Sequence, residues 1–158
     1  MITMKRYSKF LSTLSLSALV AISLLLASCQ PDLSDDAIPM VPFSPVTINI
    51  NLPEYQELRT SGVMEMDEPG VRGVIVYRVS PTSYRVYERN CSFQPNEACA
   101  TVNIHSSKLY LTDPCCNSMF ELATGNPTGG PAWRPLRQYE TSFTGSQLTI
   151  TEVSANGI

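Results

Sequence analysis

"GVIVYRVSPTSYRVYERN", residues 73–90, sets two β-branched and aromatic runs on either side of Pro81, Thr82 and Ser83. Val, Ile and Tyr crowd the preceding turn of a helix but pack well on a pleated surface. Proline beside small hydroxyl residues marks a turn, so the stretch reads as a β-hairpin. Upstream, "VTININ" (46–51) puts Val46, Ile48 and Ile50 on one face by its period of two. Downstream, "ATVNIH", "KLYLTD", "SMFELA" and a terminal "SQLTITEV" continue the pattern, with Gly, Pro, Asn and Ser at the joints. Only "PEYQEL" (53–58) offers a helical turn, with Pro53 at its first position. Many short strands without a long helix predict an all-β fold of short antiparallel strands, a small sandwich or barrel.

The N-terminus carries a different signal. Lys5, Arg6 and Lys9 precede a run of small and apolar residues from Phe10 to Ala27, interrupted by Ser12, Ser15, Ser17 and Ser23. A basic head, a short apolar middle and small residues at the end make a secretory signal rather than a permanent span, which needs about 20 strongly apolar residues. Leu26-Ala27-Ser28-Cys29 resembles the lipobox of bacterial lipoproteins. That resemblance implies lipidation of Cys29, and each buried acyl methylene contributes about 0.8 kcal/mol to holding the chain on a membrane. Asp32, Asp35 and Asp36, just after it, resemble the sorting acids of some Gram-negative lipoproteins. The expected location is thus the outer membrane of the envelope, facing the periplasm or the outside.

Expected boundaries follow from composition: a lipoprotein signal peptide over 1–28, an extended acidic and Pro-rich tether over 29–45, and one β domain over 46–158. Loss of the signal removes three of the eleven Lys and Arg but none of the fourteen acids, which leaves a net charge of −6. So acidic a chain is a poor partner for nucleic acid. Hydrolase motifs are absent: there is no Gly-x-Ser-x-Gly and no phosphate loop, and the single His105 lies in a strand-like run. Glu65 and Asp67, in "MEMDEPG", read as solvated loop charge, and Gly62, Gly70 and Gly73 as turn glycines.

Four cysteines lie beyond the anchor: Cys91, Cys99, Cys115 and Cys116. In an exported protein an even count is first a disulfide count, with three connectivities open. Cys115 and Cys116 are neighbours, so a bond between them would be strained, and separate partners in Cys91 and Cys99 are preferred. Four thiolates on zinc or on an iron-sulfur cluster form the other reading, weakened by the lack of close Cys-x-x-Cys pairs.

"ERNCSF", then "DPCCNSMFEL", then "TGNPTGGPAWRPLRQYETSFTGSQLTI" resemble, in order and spacing, the Rieske iron-sulfur domain over residues 46–152. The resemblance implies two facing cysteine-bearing loops, a Gly-Pro cover loop at Gly130, Pro131 and Trp133, and a closing strand pair. In that family two cysteines and two histidines hold a 2Fe-2S cluster. Their positions fall here on Cys91, Phe93, Asp113 and Cys116, so both histidines are replaced and phenylalanine offers no donor at all. The resemblance further implies a loop-to-loop disulfide between Cys99 and Cys115, with Cys91 and Cys116 as neighbours able to form a second. Trp133, flanked by Arg134 and Arg137, is either an exposed docking platform or a filler of the space a cluster would take.

The resulting expectation is an envelope lipoprotein whose Rieske-like domain lacks a normal cluster and any cofactor. It would serve as a non-enzymatic binding or structural module for an envelope partner or ligand. The alternative is an electron-transfer or thiol-redox protein with a noncanonical iron-sulfur, zinc or disulfide site.

Overall fold

A computed structural model describes residues 36–152. The signal segment, Cys29, Asp32, Asp35 and the last residues therefore lie outside the described part. Among the described residues no helix is long and apolar enough to cross a membrane.

In chain order the strands are β1 (Val46–Asn49), β2 (Val63–Met66), β3 (Val74–Ser80), β4 (Ser83–Glu88), β5 (Asn103–Ile104), β6 (Tyr110–Asp113), β7 (Ser118–Glu121), β8 (Pro127–Gly129), β9 (Gln138–Thr144) and β10 (Gln147–Thr151). They form a six-stranded sheet in the order β1-β10-β9-β4-β3-β2 and a four-stranded sheet in the order β5-β6-β7-β8. Every pairing is antiparallel. The all-β expectation holds. The expected hairpin over residues 73–90 is β3–β4, closed at Ser80↔Ser83 around Pro81 and Thr82.

The unbroken apolar run of β3 has a physical reason: the strand is buried on both faces. Val74 and Val76, with Tyr84 and Val86 of β4, face a core containing Ile48, Leu58, Leu148 and Ile150. Ile75 and Tyr87 point the other way, into a second core with Val102, Leu111, Phe120 and Leu136. This second core lies under the four-stranded sheet and contains Cys91.

Three local expectations need correction. The helical turn is longer than "PEYQEL": a 3-10 turn at Pro53–Tyr55 runs into the helix α1 (Gln56–Thr60), which is held by fully buried Leu58. "VMEM" is the strand β2, not loop, because Val63 and Met64 are both buried beside β3. Glu65 is accordingly not free surface charge. It pairs with Arg89 at 2.9 Å and accepts the Ile104 N–H at 2.6 Å, bridging the two sheets, whereas Asp67 is fully exposed. Finally, "ATVNIH" supplies only the two residues of β5, with Thr101 joined to Asn90 by an isolated bridge.

A buried carboxylate organises the loops beyond β4. Glu88 is fully buried, and its oxygens accept the N–H groups of Val71 (2.8 Å), Arg72 (3.1 Å) and Asn90 (3.0 Å) and the Tyr139 hydroxyl (2.6 Å). These four donors replace the water that a buried anion would otherwise lose. Burial first, and the Glu88 carboxylate second, push the Tyr139 phenol above its ordinary range. Fixed in this way, Arg72 extends its guanidinium to Asn90 Oδ1, the Ala98 carbonyl (2.7 Å) and the Glu97 carbonyl (2.6 Å). The loop bearing Cys91 and Cys99 is thereby tied to the sheet.

Residues 36–45, the described part of the expected tether, form no regular element but lie against the domain. Arg134 donates to the Asp36 carbonyl at 2.6 Å, Arg137 donates to the carbonyls of Pro39 (2.7 Å) and Ile38, and the Ile38 side chain is buried. Phe43 then packs edge-on to Tyr139 with ring centroids 5.3 Å apart.

Candidate functional site

Three chain segments meet above the second core. The first follows β4: the Cys91 N–H donates to the Ala100 carbonyl at 3.1 Å, closing a loop whose base carries the Cys91 side chain inward. The second is the tight β6–β7 connection, residues 113–118. There Asp113 Oδ1 accepts the Cys115 N–H at 2.8 Å, and the Asp113 carbonyl accepts the Asn117 N–H at 2.8 Å. Asp followed by Pro starts such a turn, and Asn117 takes the left-handed conformation, φ 61°, that Asn tolerates better than most side chains. The third is the Gly-Pro segment after β8. The Ala132 N–H donates to Ser118 Oγ at 3.0 Å, and Ser92 Oγ donates to the Arg134 carbonyl at 2.7 Å, so this segment covers both loops.

A disulfide joins Cys99 of the first loop to Cys115 of the second, with Cα atoms 5.5 Å apart. Two facing cysteine-bearing loops, a Gly-Pro cover and the closing strand pair β9–β10 are thus all present, and the disulfide is the one that the sequence resemblance implies. No family model and no curated protein matches the chain. Among the solved structures similar to it are two of named function. One is the plasma-membrane Rieske protein PetC3 of the cyanobacterium Synechocystis PCC 6803, with 21% identity and a TM-score of 0.47, over 61% of this chain and 92% of that one. The other is the ferredoxin of carbazole 1,9a-dioxygenase from Nocardioides aromaticivorans IC177, with 19% identity and a TM-score of 0.46, over 70% of this chain and 100% of that one.

Cys91 and Cys116 are free thiols. Their Sγ atoms lie 3.9 Å apart, so the second disulfide expected from their proximity is not present; a bond would need them at about 2.0 Å. Asp113, fully buried, completes the group: its Oδ2 is 3.2 Å from Cys116 Sγ, and one donor atom from each of the three residues lies within 4.8 Å of the others. Ser118 Oγ stands 3.0 Å from Cys116 Sγ. Burial above all pushes the Cys91 thiol well above its ordinary range, and Asp113 and Cys116 beside it add to the rise. A thiol so placed is a poor nucleophile.

These residues do not fit a 2Fe-2S cluster. Such a cluster needs two donors on each iron, spread across both metals and the bridging sulfides. Here three donors converge on one small volume, and the fourth family position is Phe93, packed as a hydrocarbon against the second core. His105 cannot substitute. It stacks on Tyr110 with ring centroids 4.1 Å apart and bonds Ser107 within the β5–β6 turn.

Trp133 does not fill the pocket. It is 56% exposed, with the Arg134 guanidinium 5.3 Å from its ring centroid. The cover works through its backbone instead. Gly130 has φ 81°, and a Cβ there would lie 2.5 Å from the Asn117 carbonyl oxygen and from Ser118 Cα. Gly130→Ala is therefore expected to lift the cover from the β6–β7 turn and lower stability by about 2 kcal/mol. Faster hydrogen exchange at the Ala132 amide would accompany the loss, and an unchanged unfolding midpoint would contradict it.

Sequence reasoning missed Ser118, Glu88 and the Arg134 and Arg137 contacts. Only Glu88 had a usable signal: by the period of two it shares a strand face with Tyr84 and Val86, where an acid is out of place.

Proposed function

We propose that this chain is an exported lipoprotein, held on an envelope membrane through Cys29, whose Rieske-like domain is a binding or structural module without a 2Fe-2S cluster. The observation that carries the reading is the convergence of Cys91, Asp113 and Cys116 on one point, with Phe93 in the fourth family position. The membrane is its first partner and an envelope protein or ligand the second; the net negative charge disfavours nucleic acid. The reading is non-catalytic. A dithiol exchanger is less well supported, because its Cys91 would have to ionise while fully buried.

Chemical analysis of protein purified without oxygen tests the cluster half of this reading. The expected sample is colourless and free of acid-labile sulfide; two irons and two sulfides per chain, with visible absorption, would overturn it. The anchor half is tested by Cys29→Ser, which should move the protein from the membrane fraction to the soluble one.

A further inference from the structure

Asp113 is a fully buried carboxylate that forms no ion pair among the described residues. Its contacts are one backbone N–H, from Cys115, and the neighbouring thiols. Glu88 provides a comparison within the same molecule: it is equally buried but satisfied by four donors. Asp113 instead has its second oxygen 3.2 Å from Cys116 Sγ, and the donor atoms of Cys91, Asp113 and Cys116 all lie within 4.8 Å of one another. Buried acids left in this state call for a positive charge.

The spacing identifies the kind of charge. A tetrahedral zinc ion with Zn–S of about 2.3 Å and Zn–O of about 2.1 Å separates two sulfurs by about 3.8 Å and a sulfur from an oxygen by about 3.6 Å. The observed separations are 3.9 Å between the sulfurs and 3.2 Å between Cys116 Sγ and Asp113 Oδ2, each within a few tenths of an ångström of those values. Two sulfurs and one oxygen are too few and too soft for calcium or magnesium, while the carboxylate is a poor match for copper(I). Borderline-soft Zn²⁺ accepts both donor types.

We propose that Cys91, Asp113 and Cys116 bind one zinc ion through two thiolates and one carboxylate, leaving a fourth position for water or a ligand from solution. Both thiol protons leave as the cation enters, so uptake releases two protons and gives the bound site a net charge of −1. Ser118 is a positioning residue: its hydroxyl lies beside Cys116 Sγ and accepts the Ala132 N–H, which links the cover to the ligand. This inference rests on the cluster-free reading above and gives its binding module a ligand.

The test uses the full chain, extracted in detergent without oxygen and titrated with Co²⁺, whose tetrahedral thiolate complexes absorb strongly. Expected are one cobalt per chain, with sulfur-to-cobalt charge transfer and visible bands, and its displacement by one equivalent of Zn²⁺. Asp113→Asn keeps the oxygen that accepts the Cys115 N–H and should retain the fold by circular dichroism, while weakening cobalt binding by at least about 100-fold. Cys116→Ser, at the half-exposed edge, should do the same and reduce the charge-transfer intensity. Three results would overturn the inference. No cobalt bands with two titratable thiols, or a Cys91–Cys116 disulfide in the mass spectrum, would refute zinc and leave the cluster-free reading intact. Two irons with labile sulfide would overturn both.

Discussion

Replacing Glu88 by alanine is expected to lower the stability of the domain by about 4 kcal/mol, measured as the shift in urea unfolding followed by circular dichroism. The change removes the acceptor of four buried donors, the amides of Val71, Arg72 and Asn90 and the hydroxyl of Tyr139. Each buried donor without an acceptor costs about 1–3 kcal/mol, and the sum is reduced where water enters the space vacated by the side chain. Against a typical total of about 5–15 kcal/mol, the loss is a large share. Glu88→Gln keeps one acceptor oxygen, so about half the effect is expected. There is a second consequence. Arg72 loses its backbone anchor, and with it the grip on the carbonyls of Glu97 and Ala98, so Cys91 should react faster with a thiol reagent in the variant than in the wild type. A loss below about 1 kcal/mol would mean that water satisfies these donors and that Glu88 does not organise the loop.

The disulfide is the second large contribution. Cys99 and Cys115 are separated by 16 residues, and closing a loop of that size in the unfolded chain stabilises by about 3 kcal/mol in the chain-entropy account. Replacing both cysteines by serine should lower the unfolding free energy by that amount. It must be the double variant, because a single replacement leaves a thiol that can exchange with Cys91 or Cys116. Reductant should cost the wild type a similar amount and the double variant nothing. A midpoint that ignores reductant would show that the two loops are held together by the Ser92–Arg134 and Ser118–Ala132 contacts instead.

The strands that were legible in the sequence are those with strong alternation or β-branched runs: β1, β3, β4 and β10 declare themselves through Val, Ile and Tyr. β2 did not, since "VMEM" offers one β-branched residue and its burial comes from pairing with β3 across the turn at 67–73. β9 was readable only through the family resemblance, because "QYETSFT" has a single fully buried residue, Tyr139, and a polar Thr141 on the same face. At the site, the residues were legible but their distances were not. Cys91 and Cys116 lie 25 residues apart and meet through the packing of two loops on one core, a contact that no local pattern encodes. The resemblance identified Asp113 as a replaced ligand, yet its complete burial with no ion pair among the described residues, the feature that gives it meaning, exists only in three dimensions.

The contacts of Arg134 and Arg137 with residues 36–39 also decide how far the domain can stray. A chain anchored to a bilayer at Cys29 would have a leash of only seven residues from there to Asp36, at most about 25 Å if fully extended. It leaves the body beside the cover loop, because the same arginine that holds Asp36 sits against Trp133 and donates to the Ser92 carbonyl. On a chain so anchored, the cover loop and the cysteine-bearing loops beneath it are the part of the domain whose distance from the lipid that length would limit.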